Sequence, residues 1–143
     1  MANLSNPLVV DLDLTLISND TLIISIILKI KSNILYFFKM FIWLLNGKAF
    51  FKSKITKGIE LDPESLNYRK EVINFIISEK SKGRKIILCS GANVEVLKKI
   101  SDYLKIFDEV YGSNEKINLT GNKKATFLVD KFGYQKFDYI GDN

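Results

Sequence analysis

The chain has 143 residues, enough for one domain with an ordinary core, and its 47% hydrophobic and 26% charged residues exclude a disordered chain or a coiled coil. It contains no histidine and one cysteine, which removes histidine-dependent triads, histidine-ligated zinc, intramolecular disulfides and cysteine clusters. The net charge of +5 is uneven: residues 1–20 hold three acids and no base, seven lysines and no acid lie between Asp20 and Glu60, and the rest is near neutral. That pattern weakens nucleic acid as a partner, because a phosphate-tracking surface recruits bases from several elements.

In chain order, Pro7-Leu8-Val9-Val10-Asp11 reads as a buried strand that delivers Asp11 to its carboxyl end. No basic region precedes it, so no secretory signal is expected. Leu22 to Leu45 is very apolar, but Lys29, Lys31 and Lys39 interrupt it, and a spanning helix needs a charge-free run of roughly 18 residues. Two helices are expected here, Thr21–Lys31 and Asn33–Leu45, stopped by Asn46-Gly47, with a short third from Lys48 to about Thr56. Val72, Ile73, Ile76 and Ile77 predict a helix over Asn67–Ser81, ended by Gly83. Lys85–Ser90 is a second apolar strand, Val94–Leu104 a helix, Phe107–Tyr111 a third strand and Lys123–Phe132 another helix. Phe137–Asp142 is a fourth strand. Strands alternating with helices predict an α/β fold with a Rossmann-like parallel sheet covered on both faces.

In such a sheet, reactive groups gather at the carboxyl ends of the strands, near the topological switch point. Those ends carry Asp11 and Asp13, then Ser90-Gly91, then Gly141-Asp142, and Lys123 and Lys124 stand at a helix start between the last two. Acids, a hydroxyl and a lysine in one crevice are the parts of metal-assisted phosphoryl transfer. Asp11 could attack phosphorus, and Asp13 could protonate the leaving oxygen and then activate water. Magnesium held by carboxylate oxygens would let two anions approach, while Ser90, backbone N–H groups and a lysine would hold the phosphoryl oxygens.

Asp11-Leu12-Asp13-Leu14-Thr15 resembles the DxDxT motif of the haloacid dehalogenase superfamily. Leu88-Cys89-Ser90-Gly91 resembles its second motif, Lys124 its third and Gly141-Asp142 the start of its acidic fourth, in the same order along essentially the whole chain. The resemblance implies that Asp11 is the nucleophile and Asp13 the general acid/base. It implies further that Thr15, Ser90, Gly91 and Lys124 bind phosphate, and that Asp11, Asp13 (through its backbone carbonyl) and Asp142 hold Mg2+. Its fold implies a core of residues 1–17 and 62–143, with a helical cap over 18–61 inserted after the first strand. A narrower similarity lies in Asp11–Leu16, Gly47-Lys48-Ala49, Phe107–Val110, Asn118–Gly121 and Phe137–Asp142. These resemble the haloacid dehalogenase-like domain that precedes some UbiA-type prenyltransferases. Two departures stand out. Leu14 occupies a position where the superfamily usually has glycine, and the second acid of the fourth motif and the fifth strand are missing from the sequence.

Each assignment has a plainer counterpart. Asp11 and Asp13 could cap turns, Ser90-Gly91 could cap a helix, and Lys124 competes with Lys123. Cys89 reads as a small buried hydrophobe. Thr21–Thr56 fits a cap over the site, an amphipathic membrane-surface segment, or plain core. The expected function is a magnesium-dependent phosphohydrolase acting on a small phosphate monoester, with a catalytically weak accessory domain of a UbiA-type fusion as the alternative. A phosphate-accepting receiver domain is more distant, since its acceptor acid lies at a middle strand. Expected partners are a small phosphorylated substrate, and a membrane surface or membrane prenyltransferase domain, but no nucleic acid. A cytoplasmic location, or the inner face of the membrane, goes with that reading.

Overall fold

The structure, a computed structural model, describes residues 6–142. Strands β1 (Leu8–Val10), β2 (Ile86–Asn93), β3 (Glu109–Ser113) and β4 (Asp138–Ile140) form a parallel sheet in the order β3-β2-β1-β4. Leu8, Val9 and Val10 pair with Ile86, Ile87 and Leu88 on one side and with Asp138, Tyr139 and Ile140 on the other. The sheet is therefore the expected Rossmann-like α/β arrangement, with β1 between the ladder leading to β3 and the strand added on its other flank.

The alternation of side chains along the strands builds two cores. Leu8, Val10, Ile86 and Leu88 face helices α4 (Lys70–Ser81) and α5 (Val94–Leu104), meeting Ile76, Val96, Leu97 and Ile100. Val9, Ile87 and Cys89 face the opposite way, onto Leu119 and onto Leu128 of α6 (Asn122–Phe132). Burial on both faces is why these strands read as continuous apolar runs rather than alternating ones.

Helices α1 (Thr21–Ser32), α2 (Leu35–Leu45) and α3 (Lys48–Thr56) follow β1 and pack on one another. They enclose a separate cluster of Met40, Phe51 and Ile55, flanked by Leu22, Ile26, Ile30, Tyr36 and Trp43. Asp20 starts α1 by accepting from the N–H groups of Leu22 (2.8 Å) and Ile23 (3.2 Å). Among the described residues no helix is long and apolar enough to cross a membrane.

Several boundaries differ from the sequence reading: α2 starts at Leu35 rather than Asn33, β3 covers Glu109–Ser113 rather than Phe107–Tyr111, and β4 ends at Ile140 rather than Asp142. Helix α4 begins at Lys70 rather than Asn67, because the preceding residues pair with the chain leaving β1. Ser18 N–H donates to Asn67 O (3.0 Å), Arg69 N–H donates to Leu16 O (2.9 Å), and Ile17 bridges to Tyr68. Strand β2 runs on to Asn93 instead of stopping at Ser90. Its register against β3 shifts between Cys89, opposite Tyr111, and Asn93, opposite Ser113. Three residues there, Ser90, Gly91 and Ala92, stand against Gly112 alone, a bulge that re-aims this stretch at the end of the sheet.

Candidate active site

A cleft of about 260 Å³ opens at the carboxyl ends of β1, β2 and β4, and α1, α3 and α6 contribute to its walls. Its lining brings together Asp11, Asp13, Ser90, Gly91, Lys124 and Asp142, six of the seven residues the sequence marks out. The flank between β1 and β4 is where the strand order reverses, the place where open α/β sheets bind ligands.

Asp11 is buried at the end of β1. One carboxylate oxygen, Oδ1, accepts from Leu12 N–H at 2.8 Å. The other, Oδ2, accepts from Lys124 Nζ at 2.5 Å and from the Tyr139 hydroxyl at 2.8 Å. Lys124 also donates to the Tyr139 oxygen at 2.6 Å, closing a triangle over the nucleophile candidate. Burial disfavours the Lys124 ammonium, yet the bonds to Asp11 and Tyr139 outweigh it and its pKa is raised above the ordinary 10.5, so it stays charged. The same burial pushes the Tyr139 phenol up to about 12, which keeps its proton in place as a donor.

Beyond Asp11 the backbone departs from regular geometry. Ile17 N–H closes a wide turn onto Leu12 O (3.1 Å), with Asp13 extended and Leu14 in the left-handed region at φ 58°. This twist turns Asp13 toward the cleft, where its Oδ1 accepts from Thr21 N–H at the start of α1 (2.8 Å). Burial raises the Asp13 pKa above the ordinary 3.8, opposed by the bonds from Thr21 and aided by repulsion from Asp20 and Asp11. A carboxyl shifted in that direction is suited to carrying a proton. The twist has the opposite consequence for Thr15. Its side chain is buried away from the cleft, and its hydroxyl has no partner among the described residues. Thr15 is therefore the one residue marked out by the motif that lies outside the cleft lining.

Ser90 is buried at the start of the bulge and accepts from Ala92 N–H (3.2 Å). Gly91 is hemmed in: a β-carbon there would come within 2.2 Å of Thr120 Cγ2 and 3.4 Å of Leu119 O. Its carbonyl accepts from Ser113 Oγ (2.8 Å) and from Lys52 Nζ (2.9 Å), and Lys52 reaches on to Asn118 Oδ1 (3.1 Å). Lys52 belongs to α3, so the helical insert places a second ammonium in the cleft; burial lowers its pKa below the ordinary 10.5. Neither Lys52 nor Tyr139 was singled out from the sequence. A lysine in a basic helix looks like a solvated charge, and a tyrosine in a strand looks like packing.

Asp142 is exposed at the rim, two residues past β4. Asp11, Asp13 and Asp142 share one cleft, but no three acidic side chains among the described residues converge into a ready metal cage. The donor set still suits a hard cation. Its atoms are all oxygens, and magnesium is commonly held by one or two carboxylates together with water and substrate phosphate.

No protein-family model matches the chain. It is 28% identical over 137 residues to "Uncharacterized protein y4nM" of Sinorhizobium fredii, a match covering 96% of this chain and 26% of that protein. The chain thus spans about a quarter of that relative's length. Among solved structures, a hydrolase from Streptococcus pneumoniae aligns with a TM-score of 0.49 and 17% identity, covering 95% of this chain and 81% of the other.

Proposed function

We propose that the chain is a magnesium-dependent phosphohydrolase of the haloacid dehalogenase type, acting on a small phosphate monoester. The observation that carries this reading is the pairing of Asp11, at the end of β1, with Lys124 from α6, in the same cleft as Asp13 and the Ser90-Gly91 bulge. A carboxylate oxygen of Asp11 attacks phosphorus, the phosphorus–oxygen bond to the leaving group breaks, and Asp13 gives that oxygen its proton. Water then attacks the aspartyl-phosphate, Asp13 takes the proton back, and inorganic phosphate leaves with Asp11 restored. Lys124 offsets charge on the transferring group, and the phosphate is held near Ser90 and Gly91. Mg2+ would be held by Asp11, the Asp13 carbonyl and Asp142, and would supply positive charge between nucleophile and phosphate.

For Asp11 to react, Tyr139 and Lys124 must pass at least one of their bonds from Oδ2 to the substrate. That occupied carboxylate favours the second reading, a noncatalytic accessory domain, which the sequence resemblance would place in a UbiA-type fusion. Hydrolysis of an aryl phosphate with and without magnesium, beside Asp11→Asn, separates the two. The catalytic reading expects magnesium-dependent turnover that Asp11→Asn lowers by about a thousandfold or more. Equal rates for both proteins, or no turnover, would overturn it. Magnesium-raised melting without turnover would support the accessory role.

A further inference from the structure

Helix α2 is apolar on both sides, and only one side is covered. Tyr36, Met40 and Trp43, spaced for one face, pack into the insert's own cluster with Phe51 and Ile55. The remaining face exposes Phe37, Phe38, Phe41, Ile42, Leu44 and Leu45, from 45% to 88% accessible, with Phe37 set edge-on against both Phe38 and Phe41. A helix hydrophobic all round belongs in a core or a bilayer, and scattered surface leucines do not account for a run this dense. Its 11 residues span about 16 Å, far short of the roughly 30 Å hydrocarbon layer, so it can lie on a membrane but not cross it.

Charge selects among the surfaces that could cover this face. The stretch between Asp20 and Glu60 has seven lysines and no acid, and Lys31, Lys39, Lys48 and Lys57 are exposed. Lys39 lies on α2 itself, Lys31 is in the last turn of α1 and Lys48 opens α3, so both termini of the aromatic helix are bordered by cations. We propose that the outer face of α2 docks the protein on an anionic lipid surface, with the aromatic side chains at the headgroup–acyl boundary and the lysines on the headgroups. This site is separate from the cleft and does not depend on phosphatase activity.

Co-sedimentation of the 143-residue chain with vesicles tests this, using phosphatidylcholine alone and phosphatidylcholine mixed with phosphatidylglycerol. Binding is expected to the mixed vesicles, about tenfold or more weaker to the neutral ones, and to fall as salt is raised. Phe38→Ser/Phe41→Ser changes two outward residues, so its melting temperature should match the parent while its vesicle binding drops about tenfold or more. Lys31→Gln/Lys48→Gln should weaken anionic binding to a similar extent and flatten the salt dependence. No binding to either vesicle at low salt would overturn the proposal, as would undiminished binding by a folded Phe38→Ser/Phe41→Ser protein. So would a dimer of the free chain that the same double substitution dissociates while no vesicle binding is seen, because a second copy would then be the occupant.

Discussion

Leu14 sits in the left-handed region, φ 58° and ψ 4°, where a β-carbon crowds the following carbonyl and only glycine is at ease. The conformation is imposed from both sides: Asp13, before it, reaches Thr21 N–H, and Ile17, after it, closes the turn by donating to Leu12 O. Since Leu14 is 44% exposed, Leu14→Gly gives up little apolar burial. Relief of the strain should exceed the added chain entropy and raise stability by about 0.5–1 kcal/mol, read as an upward shift of the denaturant midpoint at unchanged slope. A valine at the same position should do the opposite. Lys52 provides a second test, one that rests on the phosphatase reading. Lys52→Met removes the ammonium the insert lends to the cleft while keeping its length. Its expected signature is a KM for an anionic substrate raised about tenfold or more with kcat nearly unchanged; a fall in kcat at constant KM would count against a binding role. At this scale, placement in the cleft was legible for Asp11, Asp13, Ser90 and Asp142, which lie at or just past strand ends, and for Lys124, at a helix start. It was not readable where tertiary packing decides. Lys52 reaches the cleft only because α3 lies across the β2 bulge, and Thr15 leaves it only because the backbone twists at Leu14.

The bulge in β2 shows the same division among elements. Hydrophobic runs located all four strands and the helices, and Val94–Leu104 falls where its apolar spacing puts it. The continuation of β2 to Asn93 follows instead from pairing with Ser113, a residue with no strand signal of its own. Ser113 Oγ donates to Gly91 O and accepts from Leu119 N–H, so the loop after β3 is tied to the bulge that lines the cleft. Gly112, the neighbouring residue, allows this approach. A β-carbon there would lie 2.6 Å from Leu97 Cδ1 and 2.9 Å from both Ala92 O and Val94 Cα, two of which are backbone atoms that cannot swing aside. Gly112→Ala should therefore cost about 1–3 kcal/mol by overpacking, measured by chemical denaturation. Its damage should also reach the cleft, because Gly112 sits between the bulge and the α5 start. Gly83, whose position has no neighbour within 4 Å, is the contrasting site: there the penalty is conformational alone, from its φ of 81°.

For the whole molecule, the question is what holds sheet and helices together at the end opposite the cleft. Arg84 and Asp108 serve as ties there. Arg84 is nearly buried and donates to Asn6 O (2.7 Å), to Glu79 Oε2 (2.7 Å) and to Asp138, linking α4, β4 and the segment before β1. Asp108 joins α4, β2 and β3: its Oδ2 accepts from Ile86 N–H (2.7 Å), and its Oδ1 pairs with Lys80 Nζ (2.8 Å). Partial burial pushes the Asp108 carboxyl up, but the bonds from Ile86 and Lys80 prevail, and its pKa lies below the ordinary 3.8. A lowered carboxyl stabilises the fold fully above 3.8, and that contribution disappears as pH falls through the lower folded value. Asp13 has the reverse sign. Its raised pKa favours the fold when protonated, below 3.8, and the advantage is lost as pH rises through the raised folded value. The two aspartates therefore separate by pH. Asp108→Asn should lose about 1 kcal/mol at neutral pH, a modest figure because the pair is partly solvated, and the deficit should close in acid. Asp13→Asn should gain stability at neutral pH and not in acid, since it removes a buried charge that only neutral solution generates. Thermal melts of the parent and both variants, taken from neutral pH down to about pH 3, should show one gap closing from below and the other from above. Parallel melting curves across that range would mean that neither carboxyl is shifted by its surroundings, and the ion-pair tie and the buried acid would both have to be reassigned.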